Sequence, residues 1–375
     1  MKLSCIQENL SKGLGIAGRA VAARTTLPIT QNVLLATDQS RLKLVATNLE
    51  MAISCWIGAK IEEEGAITIP ARLLTEFISS LPNDRVDITL NNNTLELKCA
   101  RFEARINGIS AEDFPPIPQV GDGICTKIEA EDLRQSIAQV AFAAATEESR
   151  PVLTGVQVEF EEEKLTLAAA DGFRLAVHNA SLLSSIKDKI AIIIPARALN
   201  ELNRFLAEQD EPVEITLNQQ KNQIMFNLKN IQMVSQLIQG TFPNYSQLIP
   251  QSYVTRAVIN VAEFLRATRM SSIFARDGSG IVRLVVTPGD GPAAGKITVS
   301  ARAEEIGDNV GDIDALVDGE AAKIAFNAKY LTDVLTIMHQ PQVALETTTP
   351  SSPGVLRPIG TDNYVHIIMP MFVQW

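Results

Sequence analysis

One segment of this sequence returns twice, each time at the distance of a whole domain. Ile67–Leu81 reads ITIPARLLTEFISSL, Ile192–Leu206 reads IIIPARALNELNRFL, and Ile324–Met338 reads IAFNAKYLTDVLTIM. Each joins a short strand-type run to an amphipathic helix through Pro or Asn. The steps are 125 and 132 residues, too long for a solenoid unit and right for a domain. The 375 residues therefore divide into three copies, placed at 1–122, 123–251 and 252–375. Pro and Gly punctuate both junctions, at Pro115–Gly123 and Ile249–Tyr253. Tandem copies in one register bend a chain into an arc, and two arcs can close a ring.

A second helix recurs upstream of the first. Asn9–Val21, Asp132–Ala144 and Phe264–Arg276 align on Leu10, Leu133 and Leu265, with Asn9, Asp132 and Asn260 as candidate helix caps. Alternating runs such as Arg41–Val45, Val86–Leu90, Leu95–Cys99, Val213–Leu217 and Ile297–Ala301 predict antiparallel strands with one wet face. Asn91–Asn93, Glu161–Glu163 and Gln219–Asn222 read as hairpin turns between them. Each copy is then two helices and about eight short strands, an α+β design with the helices on one side.

Catalytic chemistry is hard to find. The three histidines are scattered, and Cys5, Cys55, Cys99 and Cys125 lack ligand spacing, so they read as buried or half-buried free thiols. No metal or other cofactor is expected. Gly289–Thr298, GDGPAAGKIT, resembles a phosphate loop only superficially. Asp290 stands where the first glycine is needed and Ile297 follows the lysine, so a hairpin loop is the better reading. A nucleotide-hydrolysing enzyme built on Gly295-Lys296 is accordingly disfavoured, and binding is the better class. Met1–Leu10 reads as a first strand rather than a signal peptide, which makes the cytoplasm the default.

The net charge of −10 argues against bulk electrostatic grip on nucleic acid. Basic residues are nevertheless concentrated on the repeated helices. Lys12 and Arg19 share a helix face, as do Arg197 and Arg204, and Arg266 with Arg269.

Eight strings occur in order along the chain: TNLEM (Thr47–Met51), IPAR (Ile69–Arg72), EDFP (Glu112–Pro115), RPVLTG (Arg150–Gly155), ADGFRLAV (Ala170–Val177), IPAR again (Ile194–Arg197), FPNY (Phe242–Tyr245) and YVHIIMPM (Tyr364–Met371). Together they resemble the β sliding clamps of bacterial DNA polymerase III, from Met1 to about Met371. The resemblance implies a head-to-tail homodimer of six similar domains, with helices lining a hole around duplex DNA and sheets forming the rim. It also implies a processivity factor without catalysis of its own. Its expected partners are the polymerase catalytic subunit, an ATP-using clamp loader and other proteins with clamp-binding motifs. Topological tethering would reconcile an acidic exterior with a mildly basic lining that reads no sequence.

Arg24, Arg72, Arg150 and Arg197 match the family's DNA-facing positions, and helix placement adds Lys12, Arg19, Arg204, Arg266, Arg269 and Lys329. The family's peptide pocket maps onto Leu153, Thr154, Gly172, Arg174, Leu175, Val177, Pro250, Ile368, Met369, Pro370 and Met371. Aliphatic and methionine side chains suit an adaptable groove for short peptides. Two departures bear on it: Phe173 stands where relatives often have His, and Phe372–Trp375 runs past the usual end. For ring closure, Ile273 and Phe274 match interface positions, with Ile106 as counterpart. Arg101 and Arg105 are expected to meet Glu304 and Glu305. The competing reading is a monomeric three-domain scaffold that binds peptides and encloses nothing.

Overall fold

The computed structural model of the chain describes all residues except 23–24, 118–120, 122, 277–279, 290–294, 304 and 306. Among the described residues the helices are α1 (Gln7–Ala17), α2 (Ala71–Ser80), α3 (Ala130–Val140), α4 (Ala196–Leu206), α5 (Val261–Arg276) and α6 (Ala328–Thr336).

The first repeat carries β1 (Lys2–Ile6), β2 (Asn32–Asp38), β3 (Arg41–Thr47), β4 (Met51–Gly58), β5 (Lys60–Glu63), β6 (Ala66–Pro70), β7 (Arg85–Asn91), β8 (Thr94–Cys99) and β9 (Phe102–Asn107). The second carries β10 (Ile124–Ile128), β11 (Gly155–Ala170), β12 (Arg174–Pro195), β13 (Val213–Leu217), β14 (Gln223–Asn227) and β15 (Ile231–Gln236). The third carries β16 (Thr255–Asn260), β17 (Ile281–Thr287), β18 (Gly295–Ala303), β19 (Gly307–Gly319), β20 (Ala322–Asn327), β21 (Gln342–Thr347), β22 (Gly354–Pro358) and β23 (Tyr364–Ile368).

Contacts group the chain into two units that cut through the second repeat. The first comprises Met1–Glu131, Leu182–Ser184 and Glu201–Leu237, and the second comprises Asp132–Ser181, Ser185–Asn200 and Ile238–Trp375. Sheets running from one repeat into the next explain the cut. In the first unit β15 pairs antiparallel with β4, making an eight-stranded sheet of order β10-β13-β14-β15-β4-β3-β2-β6. A separate sheet there has the order β5-β1-β7-β8-β9. In the second unit β12 pairs with β23 inside a ten-stranded sheet, β11-β12-β23-β22-β21-β16-β19-β18-β17-β20.

The helices form where apolar residues recur on one face. α2 buries Ala71, Leu74 and Ile78, and α6 buries Ala328, Leu331, Val334 and Leu335. In the first unit α1 packs on α2, β3 and β4; in the second, α5 packs on α6, β18 and β19. Asn260 accepts from the backbone N–H of Glu263 at 3.1 Å, as expected of a cap, and Asn327 accepts from Lys329 and Tyr330.

Several local expectations are corrected. Asn9 and Asp132 are not caps, because α1 begins at Gln7 and α3 at Ala130. Strand β1 runs directly into α1, and the N–H of Gln7 is already satisfied by the Asp84 carbonyl at 3.0 Å. In the third copy Phe264, fully buried, takes the place of Leu10 and Leu133; Leu265 is only partly buried. Glu161–Glu163 is no turn. Strand β11 continues through it, with Glu162 at φ 53° and register shifts on either side, so the extra residues make a bulge.

Cys5, Cys55 and Cys99 are buried but Cys125 is exposed, lying on the wet face of β10. Burial pushes the Cys5 thiol up to about 12 and Cys55 to about 11. Lys296 sits in β18 opposite Thr287, its Nζ 2.7 Å from Asp312, so it opens no helix as a phosphate-loop lysine must. The remainder of that motif, 290–294, lies outside the described residues.

Candidate functional site

Three of the six helices start with a cation where the backbone already concentrates positive potential. Arg72, Arg197 and Lys329 are the second residues of α2, α4 and α6, and none of these first turns holds an acid. A cation there opposes the helix dipole and slightly destabilises each helix. Helix stability therefore does not explain the placement.

Within the first unit, Lys12 pairs with Glu208, and Arg19 reaches Glu201 at 3.0 Å. Arg204 approaches the same Glu201 at 3.5 Å. Lys12, Arg19, Arg204 and Glu208 border a cleft of about 650 Å³ between α1 and the C-terminal turn of α4. Arg72, almost fully exposed, pairs with Glu76 at 2.8 Å. In the second unit Arg150, Arg197, Arg266 and Arg269 are exposed, and Arg269 donates to Thr336 Oγ1 at 3.2 Å. Lys329 pairs with Asp333 at 2.6 Å. Arg24 lies outside the described residues.

The candidate peptide pocket falls entirely within the second unit, and its residues divide by burial. Leu175, Val177, Val355, Val365 and Ile367 form a core cluster, with Tyr245 and Ile249 packed against it. Leu153 joins Ile193 and Phe242 in an adjoining cluster, and Ile368 is fully buried. These supply a floor. Thr154, Pro250 and Pro370 are half-buried beside it. The accessible apolar surface comes from Phe173, Met369, Met371 and Phe372, the last 89% exposed. The N–H of Met369 donates to the Phe173 carbonyl, and that of Met371 to the Ala325 carbonyl. The tail then folds back so that Lys323 Nζ stands 5.6 Å from the Trp375 ring centre.

Arg174 is no free polar arm. Its side chain is 8% exposed, bonded to Asp171 at 2.9 Å, Asp333 at 2.8 Å and the Phe142 carbonyl at 2.9 Å. The guanidinium also lies over the rings of Phe142 and Tyr330. Gly172, at φ 93°, gives the turn that returns the chain to Asp171, whose carboxylate accepts from the N–H groups of Phe173 and Arg174. Arg174 thus pins the second repeat to α6 of the third. A cleft of about 590 Å³ beside it is lined by Arg150, Gly172, Phe173, Lys329 and Tyr330.

Behind that cleft, His178 Nδ1 lies 2.9 Å from Ser136 and its Nε2 3.2 Å from Asn363. His366 stacks on Phe142. Burial holds these imidazoles down, to about 4 and about 3.

The candidate closing edges lie one in each unit. Strand β9 ends the five-stranded sheet, with Arg101 and Arg105 exposed and Arg105 paired to Glu96 at 3.1 Å. Ile106 is buried opposite Leu95 inside its own subunit; the exposed apolar residue of this strand is Phe102, at 55%. On α5, Ile273 and Met270 are exposed while Phe274 is half-buried. Glu305 is exposed, and Glu304 lies outside the described residues.

Family models of the DNA polymerase III beta subunit match in order along the chain. The N-terminal domain covers residues 1–118, the central domain 127–244 and the C-terminal domain 246–372. The chain belongs to the DNA polymerase III beta subunit family.

Relatives named beta sliding clamp confirm the membership. That of Synechococcus elongatus is 32% identical over 99% of both chains, and that of Bacillus subtilis 30% over 99% of both. Among solved structures, the Bacillus subtilis DNA polymerase sliding clamp superposes with a TM-score of 0.94 at 28% identity, covering 100% of each chain. A Pseudomonas aeruginosa sliding clamp bound to griselimycin gives 0.93 at 28%, with the same coverage. The three tandem clamp domains, each with helices on antiparallel sheets, are thus those of the beta subunits. Sequence reasoning missed the carboxylates beside the helix cations. The signal was present, since Glu76, Glu201 and Asp333 all occupy the sixth position of their repeated helix.

Proposed function

We propose that two copies of this chain close head to tail around duplex DNA and tether the replicative polymerase, a clamp loader and other motif-bearing proteins, without catalysing a reaction. The domains are read as 1–122, 123–251 and 252–375, and the site of action is the cytoplasm. DNA would face Arg24, Arg72, Arg150, Arg197 and the additional helix cations; client peptides would enter over Phe173, Met369 and Met371. Among the described residues no group of three or more His, Cys, Asp or Glu side chains could hold a metal ion. No described helix is long and apolar enough to cross a membrane.

The observation that carries the reading is the way the repeats already join. At the first joint Ile53 of β4 faces Met233 of β15, and at the second Ala176 of β12 faces His366 of β23. The preceding strands align Ala46, Ala169 and Ala301, which pair with Ile53, Ala176 and Asn309. The final strands align likewise: Leu97, Phe226 and Leu356 pair with Ala104, Met233 and His366. One joint is left to make. Among the described residues, 307–314 of β19 pair only with β18, and β9 is a sheet edge.

Repeating the same register sets Asn309 opposite the partner subunit's Ala104 and Asp308 opposite the partner subunit's Arg105, in place of the Glu304 and Glu305 expected from the sequence. Opposite charges directly across a ladder are favourable. The contact is head to tail, so it closes with two copies when the rotation fits.

Replacing Arg72 and Arg150 by Glu is expected to leave the dimer intact and to hasten its loss from nicked circular DNA. Retention equal to that of the unaltered protein would overturn the reading. A solution mass of one chain would favour the monomeric scaffold.

A further inference from the structure

Five of the ten cations assigned to the DNA-facing surface, Lys12, Arg19, Arg72, Arg204 and Lys329, are paired with carboxylates before any DNA arrives. Glu76 holds Arg72, Glu201 holds Arg19 and Arg204, and Asp333 holds Lys329. All three carboxylates sit five residues after the first residue of a repeated helix, and in α2 and α6 the pair is an i,i+4 contact. A cation placed N-terminal to its carboxylate is the less favourable order for helix stability. The arrangement makes sense if its purpose is the charge itself. A phosphate reaching Arg72 must displace Glu76, and one reaching Arg19 or Arg204 competes with Glu201.

We propose that Glu76, Glu201 and Asp333 are built-in counter-ions, keeping the hold of Arg72, Arg19, Arg204 and Lys329 on phosphate weak enough for the ring to slide. The proposal rests on the reading that these helices face DNA. Each carboxylate exchanges with a passing phosphate, so the net gain per contact is the small difference between two ion pairs. Without the carboxylate the same cation makes a full phosphate contact, releases a counter-ion from the DNA and holds longer.

The test compares two variants of the full dimer that lose the same charge. Glu76→Gln with Glu201→Gln removes counter-ions; Glu64→Gln with Glu163→Gln removes exposed carboxylates away from the helices. Binding of a fluorescent linear duplex is measured across a salt series. The first variant is expected to bind about two- to fivefold tighter than the second, the range that an exposed ion pair spans. Its log–log salt dependence should steepen by about 0.9 for each cation set free.

Equal affinities and slopes for the two variants would overturn the proposal. Glu76→Gln alone guards against a folding defect, because Glu76 and Arg72 lie on one exposed helix face; it should shift the same way by less. The two failures are distinguishable. Unchanged retention of the Arg72→Glu, Arg150→Glu dimer on nicked circles would remove the DNA-facing reading itself. Lost retention there, with the two carboxylate variants equal, would remove the counter-ions alone.

Discussion

Reversing a single charge at the proposed closing joint should break the dimer, and mixing two such broken variants should mend it. The register carried over from the inner joints sets Asp308 opposite the partner subunit's Arg105. Both side chains are exposed in the free subunit. A directly opposed ion pair across strands contributes about 0.2–1 kcal/mol, and a like pair costs a similar amount. Arg105→Asp or Asp308→Arg therefore swings each joint by about 0.4–2 kcal/mol, and the homodimer has two such joints. The sum, about 0.8–4 kcal/mol, raises the dimer dissociation constant roughly 4- to 700-fold. The contact between Arg105 and Glu96 inside the subunit draws the value towards the lower end.

The geometry makes a stronger demand than loss alone. In a mixed dimer of Arg105→Asp and Asp308→Arg, one joint pairs the natural Asp308 with the natural Arg105. The other pairs Arg at 308 with Asp at 105. Neither joint contains like charges, so the mixture should dimerise better than either variant by itself. Sedimentation equilibrium over a dilution series at about 0.1 M salt reads this directly, since the Debye length there is about 10 Å and leaves contacts of a few ångströms largely unscreened. A mixture no more dimeric than its components would refute the register.

Two further outcomes follow from the second unit. Arg174→Met leaves Asp171 and part of Asp333 without their cation in a buried setting, and should cost about 3 kcal/mol by urea denaturation; a loss below about 1 kcal/mol would mean that the pin is ornamental. Acid should also destabilise this unit through its histidines, because unfolded imidazoles titrate near 6.5 while burial holds His178 at about 4 and His366 at about 3. Between those limits the unfolded chain binds more protons, so stability is complete above about pH 7 and falls towards pH 4, on the order of 3 kcal/mol for His366. The gap between urea midpoints at pH 7.5 and 4.5 should narrow in His366→Gln, the His178 share remaining, and an unaltered pH dependence there would contradict the assignment.

The repeated frame was legible because it rests on apolar periodicity, which burial enforces. Leu74 and Ile78 in α2, and Leu331 and Val334 in α6, are buried where the pattern sets them. Details that depend on tertiary partners were not legible. Phe264 and Leu265 are adjacent and both apolar, so only packing decides which of them aligns with Leu10. Asn9 has the chemistry of a cap, but the Asp84 carbonyl, distant in sequence, lets the helix begin earlier. The site divides the same way. Its motifs gather in one patch of the second unit, yet the setting of Arg174 depends on Asp333, 159 residues away.

The three joints of the proposed ring differ in a manner that suits their fates. At the position where Asp308 would oppose Arg105, the inner joints hold Ala52 with Val234 and Leu175 with Ile367. Those apolar pairs are made within one chain and never separate while it is folded. The closing edges stand free in every isolated subunit, where a bare apolar strand edge would recruit the wrong neighbour. Charges along β9 and β19, with Glu103, Arg105, Asp308 and Asp312 exposed or half-exposed, discourage such pairing until an edge of opposite pattern arrives. Apolar contact is then left to Phe102, Val310, Ile273 and Met270, a smaller patch than a continuous core. A joint built mostly from opposed charges and a small apolar patch holds in water, yet yields to an opening force that would leave Val234 and Ile367 in place.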